Sequence, residues 1–501
     1  MKRIKIFLFA VLLIIGAGIS SCSKFLEEKP QSFINTTNFY QTEAQAQSAV
    51  NACYLKLTDI YRGSLMLMTE YTTDLAYLGA GGVDESFGMS PSNPGFGDDM
   101  WTYPYSGIMI CNATIAGIQN ATAIDAAKKP ALIGEAATLR ALYYYILTCT
   151  FKDVPYYTAD ASASFDALME VAQMGRMPAA ATRDSLIADL QKWAPSLPQT
   201  KSSSIANNRI GAPLAYMLIG KLALWNKRWD VCVDAMQKLK TIYGPLSQYP
   251  LTDTWFRNKN KPESIFEVQY SGTIKISNVA TQLTPARASG TSSVYDGVNI
   301  PELGTTTTTF TAATPSSYFI SLYDTTDPRR NTTLAYTWNG IWFNRPKSNN
   351  YTGKPWPGPK FWCFNMSLQQ DNNNQKVFRY ADALLMLAEA ANENGDQETA
   401  MSAINEVKAR AKAGFVLASY PGKEAFLEEL KKERARELFG EYGRKWDLVR
   451  WGDFFKSVSA TTANEVTAIK TNLRAYHEYY PIPQAEVERS GGILTNNAYN
   501  K

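Results

Sequence analysis

Apolar residues recur at helical spacing along most of the chain, and the first such stretch runs from Thr42 to Ile60. Its apolar positions are Ala44, Ala46, Ala49, Val50, Cys53, Leu57 and Ile60. The same spacing predicts a second helix-rich block from about Trp101 to Phe151 and a short amphipathic helix over 183–194. The intervening segments 79–100 and 152–182 are predicted to be loops, because the first is rich in Gly, Pro, Ser and Asp and the second has no helical period.

Two stretches of this pattern share a 34-residue period, which is the length of a tetratricopeptide repeat. We align Gly395 and Asp396 with the turn of one stretch, and Trp229 with the aromatic turn position of the other. In this alignment small apolar residues fall where paired helices cross closely, and bulkier ones fall where they fill the groove between repeats. The matching positions are Leu384, Leu387, Ala388, Ala391, Ala400, Ile404 and Val407 in one stretch, and Ile219, Gly220, Ala223, Cys232, Met236 and Leu239 in the other. We predict two repeats that meet in space around long insertions; two unrelated helical hairpins are the alternative.

Acids and bases interleave with apolar residues in the segment that begins at Lys423. Opposite charges three or four residues apart can pair along the surface of a helix. Glu437 and Glu441 could form a reactive carboxylate pair, or they could be structural partners of Arg434 and Arg444 that orient two helices. The structural interpretation is favoured, because every acid has a base nearby in the sequence.

Residues 1–21 are interpreted as a targeting segment and are set apart from the fold. Three basic residues precede an apolar run over 6–19, which is shorter than the roughly 20 apolar residues that a bilayer span needs. The run ends in the sequence ISSC, the pattern of a bacterial lipoprotein cleavage site. Cys22 is therefore predicted to be the lipid-modified first residue; an ordinary secretory signal with a chance cysteine is the alternative.

Composition excludes several chemistries. The 501 residues include one histidine, His477, so an HExxH zinc site or a His-rich metal centre is impossible. Without residues 1–21 the chain has 47 basic and 46 acidic residues, a balance that predicts no nucleic-acid partner. The five remaining cysteines are scattered and form no CxxC pattern, so neither a disulfide framework nor a zinc site is predicted. No P-loop, GxSxG elbow, dinucleotide fingerprint or EF-hand loop occurs, and we predict no cofactor and no metal.

A series of motifs, in the same order along the chain, resembles the SusD/RagB family. The motifs are GEAATLRALYYYIL with DVPYY, PESIFEVQYS, RYADALLMLAEAANENG, ER..EL..E..RKWDLVRWG, YYPIPQAEV and ILTNNAY. The resemblance spans essentially the whole chain after Cys22. The departure lies in 271–376, where only the DPRR sequence at Asp327–Arg330 matches.

The resemblance implies a mainly α fold. In this fold tetratricopeptide-like helical pairs form a scaffold, and a loop-rich, partly irregular lobe with a few short strands carries the ligand site. The implied segments are a lipoprotein signal peptide over 1–21, a lipidated tether over 22–40 and a single domain over 41–501, with the scaffold at 41–270 and 377–501 and the variable lobe at about 271–376.

The resemblance also implies a function. We expect a non-catalytic, lipid-anchored protein exposed at the cell surface on the outer membrane, which binds oligo- or polysaccharide and passes it to a SusC-like TonB-dependent transporter. One alternative is an exported glycoside hydrolase, which would need a carboxylate pair about 5–10 Å apart among loop acids such as Asp84, Glu85, Asp98 and Asp99. Another alternative is a binder of peptide or glycoconjugate nutrients.

Aromatic residues outside the helical period are the candidate ligand contacts. Sugar-binding surfaces stack the apolar face of a pyranose on an aromatic ring, and nearby polar groups bind its hydroxyls. The candidates are Asp74, Tyr77, Tyr295, Trp338, Trp342, Asn344, Arg345 and Trp356. For Trp338, Trp342 and Trp356, burial beneath loops is the alternative. Trp101, Trp446 and Trp451 are interpreted as helix-packing residues.

Overall fold

The computed structural model describes most of the chain after the predicted targeting segment. The described residues are 39–78, 82–271, 276–277, 279–283, 294–295, 298–299, 302, 313–338, 341–342, 354–364, 370–496 and 498–499. Within them, no helix has the length and apolar character that crossing a bilayer requires. Cys22 and nearly all of the predicted tether lie outside the described residues, so the predictions made for them stay predictions.

In the part of the chain before residue 244, the described elements are helices apart from one short strand. Its elements are α1 (Glu43–Ala52), α2 (Leu55–Ile60), α3 (Ser64–Glu70), β1 (Ala76–Leu78), α4 (Gly97–Asn120), α5 (Lys129–Phe151), α6 (Phe165–Ala172), α7 (Ala179–Trp193), α8 (Ala212–Trp225) and α9 (Trp229–Tyr243). Helix α1 begins with a capping box, in which the Thr42 hydroxyl accepts from Gln45 N and the Gln45 side chain accepts from Thr42 N. Helix α5 is buried on every face from Leu132 to Phe151, so it forms the centre of the helical array.

The predicted loop over 152–182 is partly wrong, because it contains α6 and the start of α7. The Ser164 hydroxyl accepts from Ala167 N and caps α6, which has no buried residue. Local capping therefore sustains this helix where packing contributes little. Helix α7 begins four residues before the predicted start at 183.

The rest of the chain combines short strands with helices. The elements are β2 (Ser264–Val268), α10 (Val279–Leu283), β3 (Val294–Tyr295), β4 (Val298–Asn299), β5 (Ala313–Pro315), α11 (Ser317–Ser321), α12 (Arg330–Thr333), β6 (Leu334–Ala335), β7 (Thr337–Trp338), β8 (Ile341–Trp342), β9 (Trp356–Pro357), β10 (Gln375–Arg379), α13 (Tyr380–Glu393), α14 (Gln397–Ala411), α15 (Lys423–Leu438), α16 (Arg444–Trp451), α17 (Phe454–Ala460), α18 (Thr462–Glu465), α19 (Thr467–Asn472) and α20 (Gln484–Arg489). The strands form antiparallel pairs, β1 with β5, β2 with β10, β3 with β4, β6 with β9 and β7 with β8. The fold is mainly helical with a few short strands, as predicted.

The two predicted helical pairs exist and pack against each other. Helix α8 pairs with α9, helix α13 pairs with α14, and α9 packs on α13 across a long insertion. Gly220 permits this approach, because a Cβ at that position would lie 2.4 Å from Cε of Met236 and 2.8 Å from Cε of Met386. The repeat register, including Gly220 at a helix crossing, is confirmed. The division into scaffold and lobe at 271 and 376 stays a prediction.

Candidate functional site

A buried network of ion pairs connects the C-terminal helices to the strands. Arg379 is fully buried and donates to Glu441 at 2.7 and 2.9 Å, to Glu437 at 3.1 Å and to Glu263 at 2.5 Å. Lys360 donates to Glu441 at 2.6 Å. Burial by itself would raise the pKa of Glu437, but neighbouring arginines, foremost Arg410 and Arg379, outweigh it and hold the pKa well below its ordinary value. Glu437 is therefore a charged structural group, and Glu441 is a buried partner of Arg379 and Lys360.

The structural interpretation of these two acids is supported, but their predicted partners are wrong. Arg434 instead contacts Asp382 at 2.9 Å and Asp447 at 2.7 Å. Arg444 donates to both oxygens of Asp74, at 2.8 and 2.6 Å. Spacing along one helix could not indicate these partners, because they lie on segments distant in sequence.

Asp74, a predicted ligand contact, is fully engaged in that ion pair. Its residue is 1% exposed, and both carboxylate oxygens accept from Arg444. A sugar could reach this carboxylate only by displacing a buried guanidinium, which would leave that charge unpaired. We therefore leave Asp74 out of the proposed site.

Tyr77 lies on β1 opposite Thr314 of β5, and it is buried. The Nζ atom of Lys354 lies 3.4 Å from the Tyr77 hydroxyl and 5.2 Å from its ring centroid. Lys354 also donates to the carbonyl of Pro315 at 3.3 Å and pairs with Glu465. The Tyr77 ring therefore packs beneath a lysine that is already held by a carboxylate.

An aromatic cluster lies in the predicted lobe. The ring centroid of Trp338 is 5.1 Å from that of Trp362 and 5.9 Å from that of Phe364. Trp362 is fully buried, and its indole N–H donates to the carbonyl of Pro357 at 3.0 Å. Trp338 and Phe364 are partly exposed above it. Trp356 belongs to the same apolar group but is only 4% exposed. The alternative of burial beneath loops therefore applies to Trp356, whereas Trp338 keeps an accessible surface.

An arginine and a further tryptophan extend this cluster. Cζ of Arg257 lies 4.1 Å from the ring centroid of Trp255 and 4.5 Å from that of Phe364, in cation–π geometry. Arg257 also donates to the carbonyl of Pro359 at 2.6 Å. Burial lowers the pKa of Arg257 to about 10, so the group stays charged at neutral pH. We define the aromatic cluster as Trp255, Arg257, Trp338, Trp362 and Phe364.

Four members of the cluster, including the buried Trp362, were not among the candidates from the sequence. Trp255 and Arg257 lie outside the predicted lobe, just before the motif at 262, and their only signal is the aromatic–basic sequence WFR at 255–257. Phe364 follows the tryptophan-rich stretch, and nothing in its local sequence sets it apart from the other aromatic residues there.

Four predicted contacts have no described side chain. Tyr295 lies on β3 and Trp342 on β8, where only the backbone is described, and Trp342 pairs with Thr337 across the β7–β8 hairpin. Asn344 and Arg345 lie outside the described residues. The role of all four stays a prediction.

Three of the four loop acids considered for hydrolysis have structural roles. Asp84 is buried, and its carboxylate accepts from Phe96 N at 3.1 Å and from the Tyr480 hydroxyl at 2.8 Å. Burial raises the pKa of Asp84 to about 6. Asp98 and Asp99 lie in the first turn of α4, where a helix favours negative charge. These contacts explain the acids as loop and helix anchors.

The single histidine is also a packing residue. His477 is buried, and its Nδ1 accepts from Arg474 N at 3.0 Å. Burial lowers the pKa of His477 to about 3, so the imidazole is neutral at physiological pH. Among the residues that the structure describes, no three His, Cys, Asp or Glu side chains are grouped to hold a metal ion.

Two open grooves lie elsewhere on the protein. One has a volume of about 350 Å³ and is lined by residues that include Trp101, Tyr105 and Tyr157. The other has a volume of about 330 Å³ and is lined by residues that include Tyr54 and Arg209. None of the predicted ligand contacts lines either groove.

Sequence comparison identifies the family. Residues 262–499 match the profile described as the SusD family, and residues 24–224 match a profile described as starch-binding associating with outer membrane. The two matches together take in most of the chain. The chain belongs to the SusD/RagB family. The resemblance seen in the sequence motifs is therefore confirmed.

Relatives of this SusD/RagB protein match it over nearly its whole length. SusD-like protein P25 of Formosa agariphila is 26% identical over 96% of this chain and 96% of its own. A SusD homologue of Bacteroides thetaiotaomicron has a TM-score of 0.76 at 19% identity and covers 92% of this chain and 98% of its own. Surface glycan-binding protein A of Bacteroides thetaiotaomicron, solved in complex with laminarihexaose, has a TM-score of 0.71 at 21% identity, with 91% and 100% covered. At these identities the two solved structures establish a shared fold.

Proposed function

We propose that this protein captures oligo- or polysaccharide at the cell surface and passes it to a SusC-like TonB-dependent transporter, without catalysis. The main support for the proposal is the partly exposed aromatic cluster, which occurs in a chain that belongs to the SusD/RagB family. The solved relative in complex with laminarihexaose adds support, because it binds a glycan on the same fold.

The cluster has the physical properties that stacking on a sugar requires. Trp362 is buried and held by its hydrogen bond to Pro357, so it gives Trp338 a fixed support. A ring that is already held in place loses little conformational entropy when a ligand binds. Trp338 and Phe364 would then receive apolar C–H faces of the glycan. Tyr295, Trp342, Asn344 and Arg345 remain proposed contacts, whereas Tyr77 and Trp356 are proposed as supports.

Binding without turnover is the first test. We would measure the mature protein in detergent against a panel of plant, algal and host polysaccharides, by affinity electrophoresis and calorimetry. We expect retention on at least one polysaccharide and no release of reducing sugar. Retention on none would refute the proposed function, and reducing-sugar release would favour the glycoside hydrolase. Binding to a peptide or glycoconjugate array alone would favour the second alternative.

The anchor and the transporter are tested separately in cells. The proposed lipidation predicts that wild-type protein fractionates with the outer membrane and that Cys22→Ala does not. The proposed partner predicts that tagged protein, extracted in mild detergent, co-purifies with a TonB-dependent transporter. Unchanged membrane association of Cys22→Ala would refute the anchor, and purification without any such transporter would refute the partnership.

A further inference from the structure

The sequence around the aromatic cluster is basic. Residues 328–370 contain six Lys and Arg residues and no Asp or Glu, although the whole chain is nearly balanced. The segment 255–261 adds Arg257, Lys259 and Lys261 without an acid. This local excess lies where four tryptophans of the chain also concentrate, at 338, 342, 356 and 362.

Some of these bases are neutralised by carboxylates from other parts of the chain. Arg329 contacts Glu433 at 2.6 Å and Glu437 at 3.0 Å, and Lys360 contacts Glu441 at 2.6 Å. Lys354 pairs with Glu465. These bases serve the fold, so they are not available to a ligand.

Arg257 and Arg330 differ from them. Within the described part of the chain, no carboxylate lies within 4.0 Å of either guanidinium. Arg257 stacks between Trp255 and Phe364, and Arg330 stacks on Tyr336 with Cζ 3.9 Å from the ring centroid. Both arginines are partly exposed. Arg257 thus contacts the partly exposed Phe364 of the cluster directly, and Arg330 stacks on a tyrosine that lies two residues before Trp338 in the sequence.

A half-buried charge without a counter-charge is costly in free energy. Desolvation disfavours the guanidinium of Arg257, and stacking on aromatic rings returns only part of that cost. Arg183 shows that this arrangement also occurs in the helical scaffold, where the guanidinium stacks on Trp225 at 4.4 Å and donates to the Thr148 carbonyl at 3.2 Å. Arg257 and Arg330 differ because each stacks on a partly exposed ring and lies in a stretch of sequence that has no acid.

We infer that the glycan bound at the aromatic cluster is anionic, with carboxylate or sulfate groups received by Arg257 and Arg330 while its sugar rings stack on Trp338 and Phe364. A guanidinium offers the planar, paired N–H donors that bind both kinds of anion. The inference rests on the proposed function, since it names the class of ligand for the same site.

Matched ligands test the charge directly. Polysaccharides retained by the mature protein would be compared with their neutral forms, methyl-esterified for uronic acids and desulfated for sulfate esters, by calorimetry at low and high ionic strength. We expect the tightest ligands to be anionic, to weaken when their charge is removed, and to weaken with added salt. Loss of binding on methyl esterification would identify the charged group as a carboxylate, and loss of binding on desulfation would identify it as a sulfate.

Variants test the two arginines. Arg257→Gln and Arg330→Gln should each weaken binding of the anionic ligand by about tenfold or more, since each removes a charge-assisted contact, and should weaken binding of its neutral form much less. Arg183→Gln is the matched control, because it removes an arginine that stacks on a tryptophan outside the cluster. Circular dichroism and thermal unfolding would verify that each variant folds.

The outcomes separate this inference from the proposed function. If the tightest ligands are neutral glycans, or if Arg257→Gln and Arg330→Gln both bind the anionic ligand like wild type, the inference is overturned and the proposed function stands. If no glycan is retained, the proposed function itself fails. Because the comparison of matched ligands needs no variant, misfolding of Arg257→Gln would leave the inference testable.

Discussion

Arg444 and Asp74 form a bidentate ion pair in which Nε and Nη2 donate to the two carboxylate oxygens at 2.8 and 2.6 Å. Arg444 is the first residue of α16, and Asp74 lies between α3 and β1. Glu70, also from this N-terminal region, accepts from the backbone N–H groups of Gly443 and Arg444 at 2.8 and 3.1 Å. The pair therefore joins the C-terminal family motif to the beginning of the fold.

We expect Arg444→Met to destabilise the protein by about 3–5 kcal/mol, because it leaves the buried carboxylate of Asp74 uncompensated. Urea unfolding would measure the change in the free energy of unfolding. The control is Arg489→Met, which removes the ion pair between Arg489 and Glu486, three residues apart on α20. The Arg489 side chain is 73% exposed. Such a surface pair contributes about 1 kcal/mol or less. Equal losses in the two variants would contradict a structural role for Arg444.

Gly220→Val tests the contact between the two helical pairs. A Cβ there would approach Met236 and Met386 within 3 Å, so the branched side chain forces repacking between α8, α9 and α13. We expect a loss of about 1–3 kcal/mol in thermal or urea unfolding. Gly414→Ala is the control, since a Cβ at Gly414 meets nothing within 4 Å. A neutral Gly220→Val would contradict close packing of the pairs.

The carboxyl group of Asp84 predicts a pH dependence of stability. Burial raises its pKa to about 6 in the folded protein, against about 4 in an unfolded chain. Between these values the folded state retains a proton that the unfolded state releases, so this contribution to stability is lost as the pH rises from about 4 to about 6.

Comparison of wild type with Asp84→Asn isolates that contribution. Across this pH window the free energy of unfolding of wild type should fall by about 3 kcal/mol relative to the variant, which has no proton to release. Urea unfolding at several pH values would measure the difference. A difference that does not change with pH, or one with the opposite slope, would show that folding does not raise the pKa of Asp84.

Trp338→Ala should abolish or strongly weaken glycan binding and leave the helical scaffold intact. The substitution removes the partly exposed ring above Trp362, so a sugar loses its stacking surface. Affinity electrophoresis against the polysaccharide bound by wild type would measure it. Phe455→Ala is the control, because Phe455 is an exposed aromatic residue on α17. Equal retention of wild type and Trp338→Ala would exclude the aromatic cluster as the binding surface.

The sequence pattern predicted the helical repeats well because their determinants are local. Gly220, Cys232 and Met236 occupy the positions that Ala388, Ala400 and Ile404 occupy in the other repeat, and Gly220 lies at the place where Met236 of α9 and Met386 of α13 approach α8. A periodic apolar face has to be buried, and the repeat period leaves few ways to bury it. The loop predicted over 152–182 was partly wrong because it contains α6, which Ser164 caps. No residue of α6 is buried, so this helix does not depend on the buried apolar face that the sequence prediction looked for.

Charge partners were predicted poorly because ion pairs over long sequence separations leave no local pattern. Spacing paired Glu437 and Glu441 with Arg434 and Arg444, whereas Glu441 binds Arg379 and Lys360. Asp74 looked like a polar loop group available to a ligand, yet tertiary packing placed it against Arg444. The local sequence around an acidic residue does not show whether its partner is a sugar or a buried arginine.

By itself, the sequence determined the mainly helical class, the two repeats and the SusD/RagB family, since each rests on short-range periodicity or on ordered motifs. Only the tertiary structure decided which aromatic residues are accessible. It buried Tyr77 and Trp356, left Trp338 partly exposed and brought Trp255 and Arg257 to Phe364 from outside the predicted lobe. The physical reason is that burial and ion pairing depend on which distant segments come into contact, and the order of residues within one segment does not specify those contacts.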